Sequence, residues 1–81
     1  MKICSAYLVH IHRYGFRAGT PGEIVGVKIV SPDVCNRNPH PAYVVRFPDG
    51  IEDFVAVEDS ENFRIISGED VVAGRIPEVT R

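Results

Sequence analysis

The chain has 81 residues, of which 44% are hydrophobic and 25% are charged, and its formal net charge is −2. This length predicts one domain with a single small core and excludes a deep substrate cavity unless copies of the chain associate. The composition is typical of a globular chain, and because no run of about 18 apolar residues occurs, we expect no membrane span. Two cysteines, Cys4 and Cys35, are too few for a secreted disulfide scaffold, so we expect a reduced, cytoplasmic protein.

Charge is divided unevenly between the two halves of the chain. Residues 1–40 hold five basic and two acidic residues, a net charge of +3, and residues 41–81 hold four arginines and nine carboxylates, a net charge of −5. The overall balance argues against bulk nucleic-acid affinity, which needs a dense basic surface. The asymmetry leaves room for a small basic patch, or for contacts between the oppositely charged halves of two copies.

The first predicted strand covers residues 2–13, where apolar side chains fall on both faces. The segment resembles a secretory signal peptide only loosely. His10, His12 and Arg13 interrupt its apolar run, and no small-residue cleavage site follows. We therefore interpret it as part of the fold.

Two irregular segments flank the second predicted strand, residues 23–30. Residues 14–22 contain three glycines and a proline, and residues 31–41 contain three prolines and two asparagines, so we expect both to be loops. Gly26 lies inside the strand, where a glycine usually marks a bulge or a bend. With simple alternation of side chains, the core face of this strand carries Val25, Val27 and Ile29.

The strongest local signal is Asp49-Gly50 between two β-rich runs, which predicts a hairpin. A two-residue type I′ turn here pairs Arg46 with Asp53 as a cross-strand ion pair on the wetter face. A three-residue loop shifts the pairing by one residue and brings Asp53 beside Val45. We favour the two-residue loop because it keeps the charge away from the core. The predicted core face then carries Tyr43, Val45, Phe47, Phe54 and Ala56.

After the hairpin, we predict a 3₁₀ turn at residues 59–62 and a closing strand at residues 63–66. Ser67 suits the N-cap of a short helix that ends near Gly74, because its hydroxyl can accept a hydrogen bond from a backbone N–H of the first turn. Residues 75–81 form a tail whose spare apolar side chains predict self-association. These side chains are Ile76 and Val79.

The order of these elements resembles that of an SH3-like small β-barrel. Residues 17–27, RAGTPGEIVGV, look like the glycine-containing opening of KOW-type and Tudor-like bacterial barrels, and residues 42–50, AYVVRFPDG, resemble their hairpin. The resemblance covers about residues 13–66. It implies an all-β, SH3-like barrel of about five antiparallel strands over residues 1–66, with residues 67–81 as a helical turn and tail of the same domain. The fold hosts many unrelated roles, so the resemblance leaves the function open.

The expected function is that of a non-catalytic binding or assembly module, whose partner is another protein or a second copy. We expect its contact surface on the loops at residues 14–22 and 31–41, because long loops in a compact domain often carry function. No cofactor and no catalytic residue is expected. The candidate binding residues are Tyr14, Phe16, Arg17, Cys35, Arg37 and His40.

One alternative is a nucleic-acid or ribonucleoprotein contact through the basic N-terminal half. Cations along one edge of the barrel would bind phosphates, and Tyr14 and Phe16 would stack on bases. The other interpretation of these cations is scattered charge that confers solubility. The cations of this set are Arg13, Arg17, Lys28, Arg37 and Arg46.

A second alternative is a small metal- or thiol-dependent enzyme. His10 and His12 lie two residues apart on a predicted strand, so they share a face and can begin a metal site. The competing interpretation is an edge strand with two solvated imidazoles. Cys35 has Arg37 and His40 close in sequence, and nearby positive charge raises the reactivity of a thiol. The competing interpretation is an ordinary loop cysteine.

Overall fold

The structure, a computed structural model, describes residues 4–30 and 39–81. Its five strands are β1 (Ala6–His10), β2 (Gly22–Val30), β3 (His40–Arg46), β4 (Glu52–Ala56) and β5 (Phe63–Ser67). They form one antiparallel sheet in the order β4-β3-β2-β1-β5. A 3₁₀ helix covers Val57–Asn62 and a short helix, α1, covers Gly68–Val72. The prediction of an all-β fold with about five antiparallel strands is confirmed.

β1 is a central strand, which pairs with β2 on one side and with β5 on the other. It is shorter than the predicted strand at residues 2–13. Residues 7–11 are all buried, because both faces of the strand are covered. His10 is only 8% exposed, so the interpretation of this residue as a solvated imidazole on an edge strand is wrong. The side chains at the centre of the core are Leu8, Val45, Phe47, Val55 and Phe63.

β2 is paired differently along its length. Gly22 and Glu23 pair with β1, and Glu23 pairs with β3 on its other side. Among the described strands, only β3 pairs with the residues that follow. The register of this pairing shifts between Ile24 and Gly26, which is the irregularity that the glycine predicted. We call Gly22 and Glu23 the near end of β2, and residues 25–30 its outer half.

The bulge changes which side chains of β2 face the core. Ile24 lies opposite Val45 and Val27 lies opposite Tyr43. Tyr43 and Val45 are two residues apart in one strand, so Ile24 and Val27 project from the same face although they are three residues apart. The bulge thus brings Ile24 to the core face, where Val27 and Ile29 also lie. All three predicted core residues are nevertheless exposed, so the prediction that they form core is wrong. The exposed fractions are 40% for Val25, 63% for Val27 and 63% for Ile29.

The β3–β4 hairpin has a three-residue loop, and the predicted type I′ turn is wrong. The Phe47 carbonyl accepts a hydrogen bond from Gly50 N at 2.9 Å, and Phe47 N donates to the Ile51 carbonyl at 2.9 Å. Pro48 and Asp49 thus occupy the central positions of the turn, where proline presets the required φ. Gly50 has a φ of 88°, in the left-handed region that the last residue of such a loop adopts.

The longer loop moves every cross-strand pair of this hairpin by one residue. Val45 lies opposite Asp53, as the rejected register required. Arg46 pairs with Glu52 instead of Asp53, with 2.7 Å between Arg46 Nη2 and Glu52 Oε2. Phe54 leaves the predicted core face and is 52% exposed, because a shift of one residue reverses the two faces of a strand.

The C-terminal elements follow the sequence signals closely. The Ser67 hydroxyl accepts a hydrogen bond from Asp70 N at 3.2 Å, which confirms the predicted N-cap of α1. Gly74 follows the helix with a φ of 76°. The predicted closing strand is β5, and the predicted 3₁₀ turn lies within the longer 3₁₀ helix before it. No helix in the described ranges, 4–30 and 39–81, is long and apolar enough to cross a membrane.

The tail folds back onto the segment that follows β1. The Ile11 carbonyl accepts hydrogen bonds from Thr80 N at 2.9 Å and from Arg81 N at 3.0 Å, and Arg13 N donates to the Arg81 carbonyl at 2.8 Å. Val79, one of the two predicted anchors, is 42% exposed. The tail is therefore held by backbone hydrogen bonds within its own chain.

Candidate functional site

Two of the predicted binding residues, Phe16 and Arg17, belong to a cluster beside the near end of β2. The Phe16 ring packs edge-on against Phe47 with 5.5 Å between the ring centroids. The Arg17 guanidinium lies 5.1 Å from the Phe16 centroid and 5.2 Å from the Phe47 centroid. Arg17 Nη2 also contacts Asp49 Oδ2 at 2.6 Å. These contacts fasten the loop at residues 14–22 to the β3–β4 turn.

The ion pair between Arg17 and Asp49 has a direct electrostatic consequence. The hydrogen bond from the guanidinium holds the pKa of the Asp49 carboxyl below its ordinary value, and the bond from Ile51 N acts in the same direction. Arg17 itself has a φ of 53°, which a residue other than glycine rarely adopts. Arg17 is therefore committed to a structural contact and offers little free charge to a ligand.

Tyr14 is the most exposed aromatic residue of the described chain, with 80% of its surface accessible. Its ring lies 5.6 Å from the His12 ring and 5.1 Å from the Arg13 guanidinium carbon. Tyr14 N donates a hydrogen bond to His12 Nδ1 at 3.2 Å. This residue therefore stays available to a partner, in contrast to Arg17, whose charge is paired with Asp49.

His10 and His12 both line a small surface cavity of about 200 Å³, with Asp59 and Asn62 on its other side. His10 Nδ1 lies 3.1 Å from the Phe16 carbonyl, which ties this imidazole to the loop. Asn62 Nδ2 donates to Asp59 Oδ1 at 2.8 Å. Within residues 4–30 and 39–81, no three potential metal ligands converge on one point. The predicted histidine pair is thus brought together, but the described residues supply no complete ligand set.

The outer half of β2 presents apolar side chains on the core side of the sheet. Val27 and Ile29 are each 63% exposed, which makes them the most exposed aliphatic side chains of the described strands. On the opposite face, Lys28 Nζ lies 5.0 Å above the Phe54 ring, which is itself 52% exposed. Apolar surface is therefore offered on both faces of this part of the sheet.

Of the second loop that we expected in the contact surface, the structure describes only residues 39–41. Residues 14–22 lead into the near end of β2, and His40 lies opposite Val30 at the other end of the strand. Eight residue steps of about 3.3 Å put roughly 26 Å between these ends. His40 adjoins the outer half and not the loop that carries Tyr14. Cys35 and Arg37 lie outside the described residues.

The predicted basic patch is divided by ion pairs. Arg17 pairs with Asp49, and Arg46 pairs with Glu52. Lys28 lies on the outer half over Phe54, far along β2 from these two arginines. Arg37 lies outside the described residues. Of the described members, Arg17 and Arg46 are therefore paired with carboxylates, and Arg13 lies over the Tyr14 ring.

The comparisons with known proteins leave the family open. Neither protein-family models, nor curated proteins, nor solved structures gave a significant match to this chain.

Sequence reasoning missed the outer half as a surface, because its β-branched residues looked like core. One signal could have exposed the error. Lys28 lies between Val27 and Ile29, and a lysine in the middle of an apolar strand is a common feature of strands with an open edge.

Proposed function

We propose that this chain is a small, non-catalytic binding and assembly module of the SH3-like type that works in a reducing, cytoplasmic setting. The strand order, the long bulged β2 and the 3₁₀ helix between β4 and β5 support the fold assignment. The count of two cysteines supports the compartment. The role as a binding module rests on one observation, which is the exposed apolar outer half of β2.

Single exposed apolar side chains are common on protein surfaces, but a group of them on one strand of a sheet marks an interaction surface. Val27 and Ile29 project from the same face of β2, and Phe54 lies on the other face of the same sheet. A protein that covers these side chains gains the hydrophobic free energy that folding leaves unused.

The polar residues of the described chain have structural assignments that fit a binding module. His10 bonds to the Phe16 carbonyl, Arg17 bonds to Asp49, and Arg46 bonds to Glu52. The first contact joins β1 to a loop, the second joins that loop to the β3–β4 turn, and the third joins β3 to β4. The charged groups thus shape the molecule, and the contact role falls to the apolar outer half.

The proposal is tested by placing a photoreactive benzoylphenylalanine at position 27 in the producing cells and irradiating them. We expect a covalent adduct, either with another protein or with a second copy of the chain. The matched control carries the same group at position 65, because Ile65 is 47% exposed on β5. Adducts of equal yield at both positions, or none at position 27, would overturn the proposal.

A further inference from the structure

We infer that the outer half of β2 pairs with the same segment of a second copy, antiparallel and about a two-fold axis at Val27. This inference rests on the proposed function, since it names the partner of that surface. In the resulting dimer, residues 25–29 of one copy lie beside residues 29–25 of the other. The two sheets then continue into each other through their β2 strands.

The first support is the open edge of β2. Its pairing with β1 ends after two residues, Gly22 with Leu8 and Glu23 with Tyr7. Beyond Glu23, β2 has a described neighbour on its β3 side alone. Within residues 4–30 and 39–81, no strand therefore covers the backbone N–H and C=O groups on this side of residues 25–29, and such an edge favours the addition of another strand.

The second support is the sequence of the edge, which is complementary to itself in the antiparallel direction. With the axis at Val27, Val25 meets Ile29 of the second copy and Val27 meets its own counterpart. Lys28 is the only charged residue of this stretch, and it meets Gly26. Two lysines directly opposite each other would repel, and this register avoids that contact.

Gly26 provides room for the lysine that it meets. A Cβ built at Gly26 would find no atom within 4 Å, so the surface beside it is open. Lys28 is already directed to the face of the sheet that carries Phe54, where its ammonium group lies 5.0 Å from the ring centroid. The aliphatic part of the Lys28 side chain can therefore lie over Gly26 of the second copy without coming between the apolar pairs.

The bulge and the two-fold symmetry limit how far the association extends. The bulge between Ile24 and Gly26 ends the regular pairing toward the near end. A two-fold contact between identical edges uses both edges, so it closes at two copies. Five paired residues bury less than the roughly 1,200 Å² at the lower end of stable interfaces, so we expect a dissociation constant between about 10 µM and 1 mM.

The first experiment places charges of opposite sign at the two-fold axis. Dimerisation of the purified full chain is measured by sedimentation equilibrium. The wild type is expected to dimerise with rising concentration. Val27→Glu and Val27→Lys should each weaken the dimer at least 10-fold, because like charges meet at the axis. An equimolar mixture of the two variants should restore association. The control, Ile65→Glu, should dimerise like the wild type.

The second experiment does not depend on the folding of charged variants. In a chain with Cys4 and Cys35 replaced by serine, Val27→Cys places two thiols opposite each other, with Cβ atoms about 5 Å apart. This variant should form a disulfide dimer on mild oxidation. The control, Ile29→Cys, should not, since it faces residue 25 and four residue steps put about 13 Å between the two thiols.

The outcomes separate this inference from the proposed function. A wild type that stays monomeric at 1 mM, a dimer unaffected by Val27→Glu, or equal cross-linking of both cysteine variants would overturn self-pairing. If self-pairing fails while the photoreactive group at position 27 captures a different protein, the proposed function stands. If both measurements fail, both proposals are overturned.

Discussion

The two ends of β2 belong to one strand and have opposite surroundings. At the near end, Gly22 is buried, pairs with β1 and lies against Val45 and Phe47. In the outer half, Val27 and Ile29 are 63% exposed and have a described strand on one side only. The difference teaches that membership of a strand does not decide whether a residue is core or surface, because the elements packed beside it do.

The largest expected effect comes from alanine at the two glycines of β2. A Cβ at Gly22 would collide with Val45 Cγ1 and lie 3.0 Å from Phe47 Cε1, whereas one at Gly26 would meet nothing within 4 Å. We expect Gly22→Ala to lower the free energy of unfolding by about 3 kcal/mol, since both obstacles are buried. Gly26→Ala should change it by less than about 0.5 kcal/mol. Urea denaturation measures both, and equal effects would contradict the contrast between the ends.

The second expected effect compares two valines on the same face of the sheet. Val45 is fully buried, and Val27 is 63% exposed. Val45→Ala should lower the free energy of unfolding by about 2 kcal/mol, because it removes buried methyl groups and leaves a cavity. Val27→Ala should cost about 0.5 kcal/mol when measured at a concentration too low for association. A larger loss at Val27 than at Val45 would show that the outer half belongs to the core.

The smallest expected effect concerns the ion pair that joins the loop to the hairpin turn. Arg17 lowers the pKa of Asp49, so the pair stabilises the fold above the unfolded pKa and loses this contribution as the pH falls through the folded pKa. We expect Arg17→Gln to raise the Asp49 pKa toward its ordinary value in an NMR titration. The carboxyl of Asp70, whose pKa is lowered by Arg75, serves as the internal control. An unchanged Asp49 pKa would contradict the contact.

The sequence predicted the elements better than their pairing. Turn and cap residues such as Ser67, Gly74 and Gly50 act locally, so their positions could be inferred from the chain alone. The register of the β3–β4 hairpin could not, because Asp49-Gly50 is compatible with two loop lengths. We expected the charge of Asp53 to be kept away from Val45. Asp53 nevertheless lies opposite Val45, because it is at the edge of the sheet, where it stays half-exposed.

The candidate site was harder to predict than the fold. Gly26 indicated a bulge. The bulge puts Ile24 and Val27 on one face, which simple alternation of side chains does not predict. Tyr14, Phe16 and Arg17 looked alike as loop residues, yet Tyr14 is 80% exposed whereas Phe16 packs against Phe47 and Arg17 pairs with Asp49. The distinction depends on Asp49 and Phe47, which are distant in sequence, and such contacts have no local signal.

The hydrogen bonds between the tail and the segment after β1 set an order of events during synthesis. Arg13 N can donate to the Arg81 carbonyl only after residue 81 has been added to the chain. The Ile11 carbonyl likewise cannot accept its hydrogen bonds before Thr80 and Arg81 have been added. The segment after β1 thus completes its backbone bonding only after every strand of the described sheet has been translated.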